Sequence, residues 1–134
     1  MATKVFINMA VKDLQKSIEF FGKLGYKFNP QFTDETATCM IISDTIYSML
    51  LTEPKFKSFT PKEICDTTKS QETFICLSVD SKEAVDEMIK KAVAAGGKTW
   101  KDPDDHGFMY GHEFEDLDGH VWEIMWMNPD FVQK

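Results

Sequence analysis

Three things are scarce in this 134-residue chain, and each scarcity closes off a class of function. No apolar run approaches the ~20 residues that a membrane-spanning helix needs. The opening Met1-Ala2-Thr3-Lys4 leads straight into a strand-like segment, without the long apolar stretch of a secretory leader. The expected location is therefore the cytoplasm, with no membrane partner. Cysteine is limited to Cys39, Cys65 and Cys76, an odd number at no metal-ligand spacing. They read as reduced thiols, and no disulfide framework is implied. Positive charge is outnumbered: 15 Lys and Arg face 22 Asp and Glu, for a net charge of -7. Phosphate backbones and anionic membrane surfaces both require a basic face, so no nucleic-acid partner is expected. A small neutral or mixed-charge ligand, or a protein partner, remains open.

What is present is a globular composition, 43% hydrophobic and 13% aromatic, in a length suited to one domain with one core. A pattern is written twice along it. Ile7, Met9 and Val11 alternate with Phe6, Asn8 and Ala10, as in a strand. Asp13 is a good N-cap, Leu14, Ile18 and Phe21 recur at helical spacing, and Gly25 is a stop. Strands are expected at 26–33, 36–42 and 45–52, separated by polar turn-like stretches.

The second copy begins at Phe74, where Phe-Ile-Cys-Leu-Ser-Val matches the Phe6 segment with a constant offset of 68. Asp80 or Ser81 caps a second helix, with Glu83 placed for a capping-box contact to Asp80. Val85, Met88, Ile89 and Ala92 form its apolar stripe, and Gly96-Gly97 ends it. Strands follow at 98–101, 108–115 and 120–127, the last two joined by the turn Asp116-Leu117-Asp118-Gly119. The expectation is one α+β domain over residues 1–134, built from two βαβββ modules at about 4–52 and 72–128. A linker at about 53–71 separates them, and a curved mixed sheet surrounds a cleft.

Side-chain parity assigns faces to the strands. The apolar rows Ile7, Met9, Val11 and Ile75, Leu77, Val79 should lie under the helices. Trp122, Ile124 and Trp126 look like the helix-packed row of the last strand, which leaves Val121, Glu123, Met125 and Met127 facing the cleft. The cleft is then largely apolar, with Asn8, Cys76, Ser78 and the carboxylate of Glu123 as its polar groups, the usual make-up of a ligand pocket.

At this point the residues carry a resemblance. Val-Lys-Asp-Leu-Gln-Lys-Ser-Ile-Glu-Phe-Phe-Gly-Lys-Leu-Gly-Tyr, from Val11, resembles the opening of the vicinal-oxygen-chelate superfamily. That superfamily includes glyoxalase I, extradiol dioxygenases and bleomycin- and fosfomycin-resistance proteins. Phe-Glu-Asp-Leu-Asp-Gly-His-Val-Trp-Glu-Ile, from Phe114, resembles its final hairpin, with Leu117 where Pro is usual. His106 to Gly111 together with Met125-Trp126-Met127 resembles a subgroup labelled lactoylglutathione-lyase-related. The resemblance covers nearly the whole chain and implies a fold that hosts many chemistries.

The resemblance also implies metal ligands on the first and fourth strands of each module. Those positions fall here on Phe6, Phe74, Leu50 (or Met49 if the register slips by one) and Glu123. A phenyl ring and a leucine offer no lone pair, and a catalytic divalent ion takes about three protein ligands. No metal and no other cofactor is therefore expected. An aromatic pair, Phe6 and Phe74, is expected where the metal would sit.

Glu123 is the candidate catalytic residue, an acid/base or polar anchor; the plainer reading is a hydrated or paired carboxylate. The expected binding residues are Phe6, Asn8, Leu50, Phe74, Cys76, Tyr110, His112 and Met125. His106, His112 and His120 have no recognised ligand spacing and read first as surface or hydrogen-bonded histidines; the alternative is a displaced metal site with Glu113, Glu115 or Glu123, or a histidine acid/base near Glu123. Gly107 and Gly111 flank a stretch that could form a flap over the cleft. Cys76 reads better as a core-type thiol than as a nucleophile.

Three functions compete. The first is a protein that binds or sequesters an apolar or aromatic compound. The second is a metal-independent lyase or isomerase of a small carbonyl compound, with Glu123 moving a proton and Asn8, Tyr110 or a histidine assisting. The third is a glyoxalase- or dioxygenase-like metal enzyme with unusual ligands from His106, His112 and Glu123. A homodimer is expected, since exposed edge strands invite pairing.

Overall fold

Asp13 lies in extended backbone, and its carboxylate accepts the Lys16 N–H at 3.1 Å. That contact satisfies one of the free donors of the first turn and starts α1 (Leu14–Lys23). Ser81 does the same for a later helix, α3 (Lys82–Ala94), its Oγ accepting the Ala84 N–H at 3.0 Å. Of the two caps expected there, Ser81 is the one used. Glu83 therefore falls at the second helical position rather than the third, and no capping box to Asp80 is set up. Just beyond the two helices Gly25 and Gly96 adopt φ of +105° and +113°, so both copies stop by the same device.

The computed structural model describes residues 2–131. They form two compact units, one ending at Cys65 and the other beginning at Asp66. The division falls within the stretch expected to link the modules, and that stretch opens with a short helix, α2 (Glu53–Lys57).

The first unit contains β1 (Val5–Val11), α1, β2 (Lys27–Asn29), β3 (Ala37–Ile41) and β4 (Ile46–Thr52). Its sheet order is β1-β4-β3-β2, with β1 parallel to β4 and the other pairs antiparallel. The strand expected at 26–33 is cut to three residues, because Pro30 cannot donate to a ladder and a 3-10 turn (Pro30–Phe32) takes over, capped by the Asn29 side chain. The second unit repeats the order: β5 (Ile75–Ser78), α3, β6 (Asp104–Asp105), β7 (Met109–Glu115) and β8 (Val121–Met127), arranged β5-β8-β7-β6. Each unit is thus a βαβββ module with a four-stranded mixed sheet, an α+β architecture. The strand expected at 98–101 is reduced to a single bridge, Lys98 to Glu115, and the edge pairing resumes only at β6, after Pro103.

The cores lie between each helix and its sheet. In the first unit Leu14, Phe20, Phe21 and Leu24 are buried with Val11, Met40 and Leu50. In the second, Val85, Ile89 and Ala92 are buried with Phe114, Trp122 and Ile124. Each large apolar side chain so removed from water contributes about 1.5–3 kcal/mol. The β7–β8 turn is held by the buried Asp116, whose carboxylate accepts the N–H groups of Asp118 and His120 and the Trp122 Nε1–H, at 2.9–3.0 Å. Burial pushes the Asp116 carboxyl up, against the opposing charge of His120. Gly119 closes this turn with φ +86°, and a Cβ there would lie 2.5 Å from the Thr67 carbonyl oxygen. Only glycine meets both conditions. The Thr67 hydroxyl meanwhile donates to the Asp118 carbonyl at 2.6 Å, tying the segment after Asp66 to the hairpin.

Candidate functional site

The asymmetry of the second sheet defines the site. One face is covered by α3: Tyr110 donates its hydroxyl to Asp86 of that helix at 2.6 Å, and Ile89 and His112 line a common groove. Residues of opposite parity face away from the helix. The β7–β8 register places Glu113 directly opposite Glu123, Gly111 opposite Met125, and Met109 opposite Met127. The β5–β8 register places Cys76 beside Glu123. Cys76, Glu123, Glu113 and Met125 therefore share the helix-free face, and Phe74, half-exposed just before β5, continues its parity.

Two like charges directly across a ladder are unfavourable, so their compensation matters. Lys101 Nζ lies 2.8 Å from Glu113 Oε1 and 2.7 Å from Asp104 Oδ2. These two partners raise the Lys101 pKa and keep it charged, and Lys101 in turn lowers that of Asp104. The other oxygen of Glu113, Oε2, is buried and has no hydrogen-bond partner among the described residues, and the residue as a whole is only 7% exposed. Glu123 reaches over the bare backbone of Gly111, where a Cβ would lie 3.2 Å from its Oε2. Desolvation, then a hydrogen bond to Glu123 and the charges of Glu123 and Glu113, push the Cys76 thiol up to about 12. At neutral pH it is a donor to Glu123 and a poor nucleophile.

The structure separates the other residues proposed from the sequence. In the first unit Phe6, Asn8 and Ala10 pair in register with Tyr47, Met49 and Leu51, so those side chains share a face. Phe6 is 51% exposed and stacks on Tyr47 at 4.9 Å. Leu50 pairs instead with Met9, lies on the opposite face under α1, and is fully buried. The position facing the same way as Asn8 is Met49, because a shift of one residue along a strand turns the side chain over. Tyr110 and His112 stand on the helix-covered face, away from Glu123. His112 Nε2–H donates to the Lys101 carbonyl at 2.6 Å and lies 3.0 Å from Thr99 Oγ1. A carbonyl only accepts, so that nitrogen carries a proton and offers no lone pair. The stretch read as a flap is the start of β7, paired with β8 through Met109–Met127 and Tyr110–Trp126.

Lys101 was not among the expected site residues, Glu113 was weighed only as a metal ligand beside the histidines, and Gly111 only as a flank of the flap. The signal for Glu113 was available: the turn at Asp116–Gly119 sets the hairpin register, and that register pairs it with Glu123. Nothing in the sequence pointed to Lys101, which arrives from the irregular segment before β6.

The positions where the resemblance implies metal ligands carry few donors. Phe6, Phe74 and Met49 or Leu50, with Glu123, supply one carboxylate and at most one thioether. A divalent ion takes about three protein ligands, so this donor set does not fit one. Among the described residues no three His, Cys, Asp or Glu side chains are grouped to hold a metal ion. The groove of about 460 Å³ between α3, Pro103 and His112 lies on the other side of the sheet from the carboxylates and is mainly apolar. It holds neither Glu113 nor Glu123.

The Glyoxalase/Bleomycin resistance protein/Dioxygenase superfamily matches residues 5–124. No curated protein matches the chain. Among solved structures, a hypothetical protein from S. aureus is 30% identical with a TM-score of 0.79, over 94% of this chain and 95% of that one. A glyoxalase-related enzyme from Fulvimarina pelagi is 20% identical, TM-score 0.77, over 94% of this chain and 88% of its own. A genomically encoded fosfomycin resistance protein from Listeria monocytogenes is 18% identical, TM-score 0.68, over 97% of both chains. The last two likenesses speak for the fold alone.

Proposed function

This chain belongs to the glyoxalase/bleomycin resistance protein/dioxygenase superfamily, and from that premise we propose that it binds an apolar or aromatic small molecule on its helix-free sheet faces without the divalent ion. The observation that supports this reading is that Phe6 and Phe74, which offer no lone pair where the resemblance implies metal ligands, are each about half exposed, at 51% and 54%. Exposed phenyl rings gain by stacking on a flat compound. Met125 adds a polarizable, adaptable contact, and Cys76, held as a thiol, is a weak donor. Binding, sequestration or both follow from such a surface; the lactoylglutathione-lyase-related subgroup is where we place it.

The test is a screen of aromatic and hydrophobic compounds, read by thermal shift and tryptophan fluorescence, beside a metal analysis of protein purified without chelator. The reading expects hits and no stoichiometric zinc, nickel, manganese or iron. A full metal complement, or no hit across the library, overturns it.

One observation favours a second reading. Glu113 and Glu123 stand opposite each other on the helix-free sheet face, and a carboxylate pair is a device for moving a proton. A metal-independent lyase or isomerase of a small carbonyl compound would use Glu123 as base. Glu123→Gln should then abolish turnover with the fold intact, and unchanged turnover removes the idea. We further propose a cytoplasmic homodimer. β1 and β5 are each an edge of their unit's sheet, and light scattering of the purified protein decides the oligomeric state.

A further inference from the structure

We propose that the ligand is an organic cation: an aromatic or apolar compound whose protonated amine is held between Glu113 and Glu123. The inference rests on the binding function proposed above and names its chemical class. Lys101 is divided between Asp104 and Glu113 Oε1, and Glu123, in register with Glu113, brings a third carboxylate to this part of the sheet without adding a cation. The set is therefore short of positive charge.

The shortage has an address. Glu113 Oε2 is buried without a hydrogen-bond partner, on the face it shares with Glu123. A buried acceptor left without a donor is unfavourable, and more so when it is charged. An amine entering from the open face supplies that donor, with further N–H groups for Glu123, which otherwise has the weak thiol donor Cys76.

Shape agrees with charge. Glu123 leans over the bare backbone of Gly111, the neighbouring same-face residue on the Glu113 strand, where a Cβ would lie 3.2 Å from its Oε2, so its carboxylate lies close to the strands. Met125, in register with Gly111, adds apolar surface on that face, and Phe74 stands farther along it. An ammonium group asks less of the site than a metal ion does. It needs two or three acceptor oxygens at hydrogen-bond distance, not a closed coordination sphere.

The experiment compares naphthylmethylamine with its neutral counterpart naphthylmethanol by calorimetry and heteronuclear NMR. The wild-type chain should bind the amine about tenfold more tightly than the alcohol, with shifts centred on Gly111, Glu113 and Glu123. Glu113→Gln and Glu123→Gln, each checked for an unchanged spectrum elsewhere, should bring the amine down to the alcohol and leave the alcohol as it was. Equal binding of the two compounds by the wild type, or a preference that survives both substitutions, overturns the cation inference and leaves the aromatic-binding reading standing. Binding of neither compound overturns the inference, and the library screen then judges the broader reading separately.

Discussion

Cys76 makes the chemistry of the open face measurable without any ligand. Its pKa of about 12 stands ~3.5 units above that of an ordinary thiol, near 8.5. At about pH 8 an ordinary thiol is roughly one quarter thiolate, and Cys76 about one part in ten thousand, a ratio of about 2,400. The more basic thiolate is the better nucleophile. A Brønsted slope of about 0.4–0.5 over ~3.5 units returns a factor of roughly 25–55. The net expectation is exchange with an aromatic disulfide about 40–100-fold slower than for the same cysteine in the denatured chain. Cys76 is exposed rather than the core-type thiol expected, and mass spectrometry of labelled peptides separates it from Cys65, exposed as well, and from Cys39, which is buried. Steric shielding slows labelling equally at every pH, whereas a raised pKa makes the rate climb about tenfold per pH unit well beyond pH 9. Glu123→Gln removes the adjacent charge, so labelling should accelerate several-fold, with desolvation retained. Wild-type Cys76 labelled within about threefold of the denatured chain at pH 8, or a profile that levels off near pH 9, refutes the carboxylate environment described for this face.

Further predictions follow from the same contacts. Because the folded state raises the Cys76 pKa to about 12, the folded chain holds this proton where the unfolded chain has lost it. The contribution is therefore complete below about pH 8.5 and is lost as pH rises through about 12; Cys76→Ser should flatten the alkaline decline in urea midpoints. Tyr110, raised to about 12 by its bond to Asp86, acts with the same sign, and Tyr110→Phe should flatten the decline further. Asp116→Ala leaves two backbone N–H groups and the Trp122 indole without their acceptor and should cost about 2–4 kcal/mol in chemical denaturation. Leu50→Ala should cost about 2–5 kcal/mol and leave ligand affinity alone, whereas Met49→Ala should weaken binding with little loss of stability; the reverse pattern would place Leu50 on the open face.

Much of the architecture was legible because its causes are local. Asp13 and Ser81 cap helices through contacts three residues away, and Gly25 and Gly96 stop them through their own backbone freedom. The alternation of Ile7, Met9 and Val11 against Phe6 and Asn8 is a property of any strand, and it sorted most side chains to the correct face. The repeat of these signals foretold two modules with the same strand order. Errors arose where non-local pairing decides. Pro30 shortened a strand that composition alone made continuous, and the strand expected at 98–101 kept only the bridge from Lys98 to Glu115. Leu50 and Met49 differ by one step of register, which only the β1–β4 ladder resolves.

The candidate site divides the same way. The sequence by itself determined that lone-pair donors are missing at Phe6 and Phe74, and that Glu123 is a carboxylate in an apolar strand. A side chain's chemistry is a property of the residue, and its face along a strand follows from the twofold repeat. Tertiary structure alone decided that Tyr110 and His112 turn toward α3. It also decided that one oxygen of Glu113 is buried and, among the described residues, without a hydrogen-bond partner, and that Lys101 arrives from an irregular segment to satisfy only the other. Those facts depend on strand register and on which segment packs against the hairpin. Both are set by burial and hydrogen bonding summed over residues far apart in the chain, and no window of the sequence contains that sum.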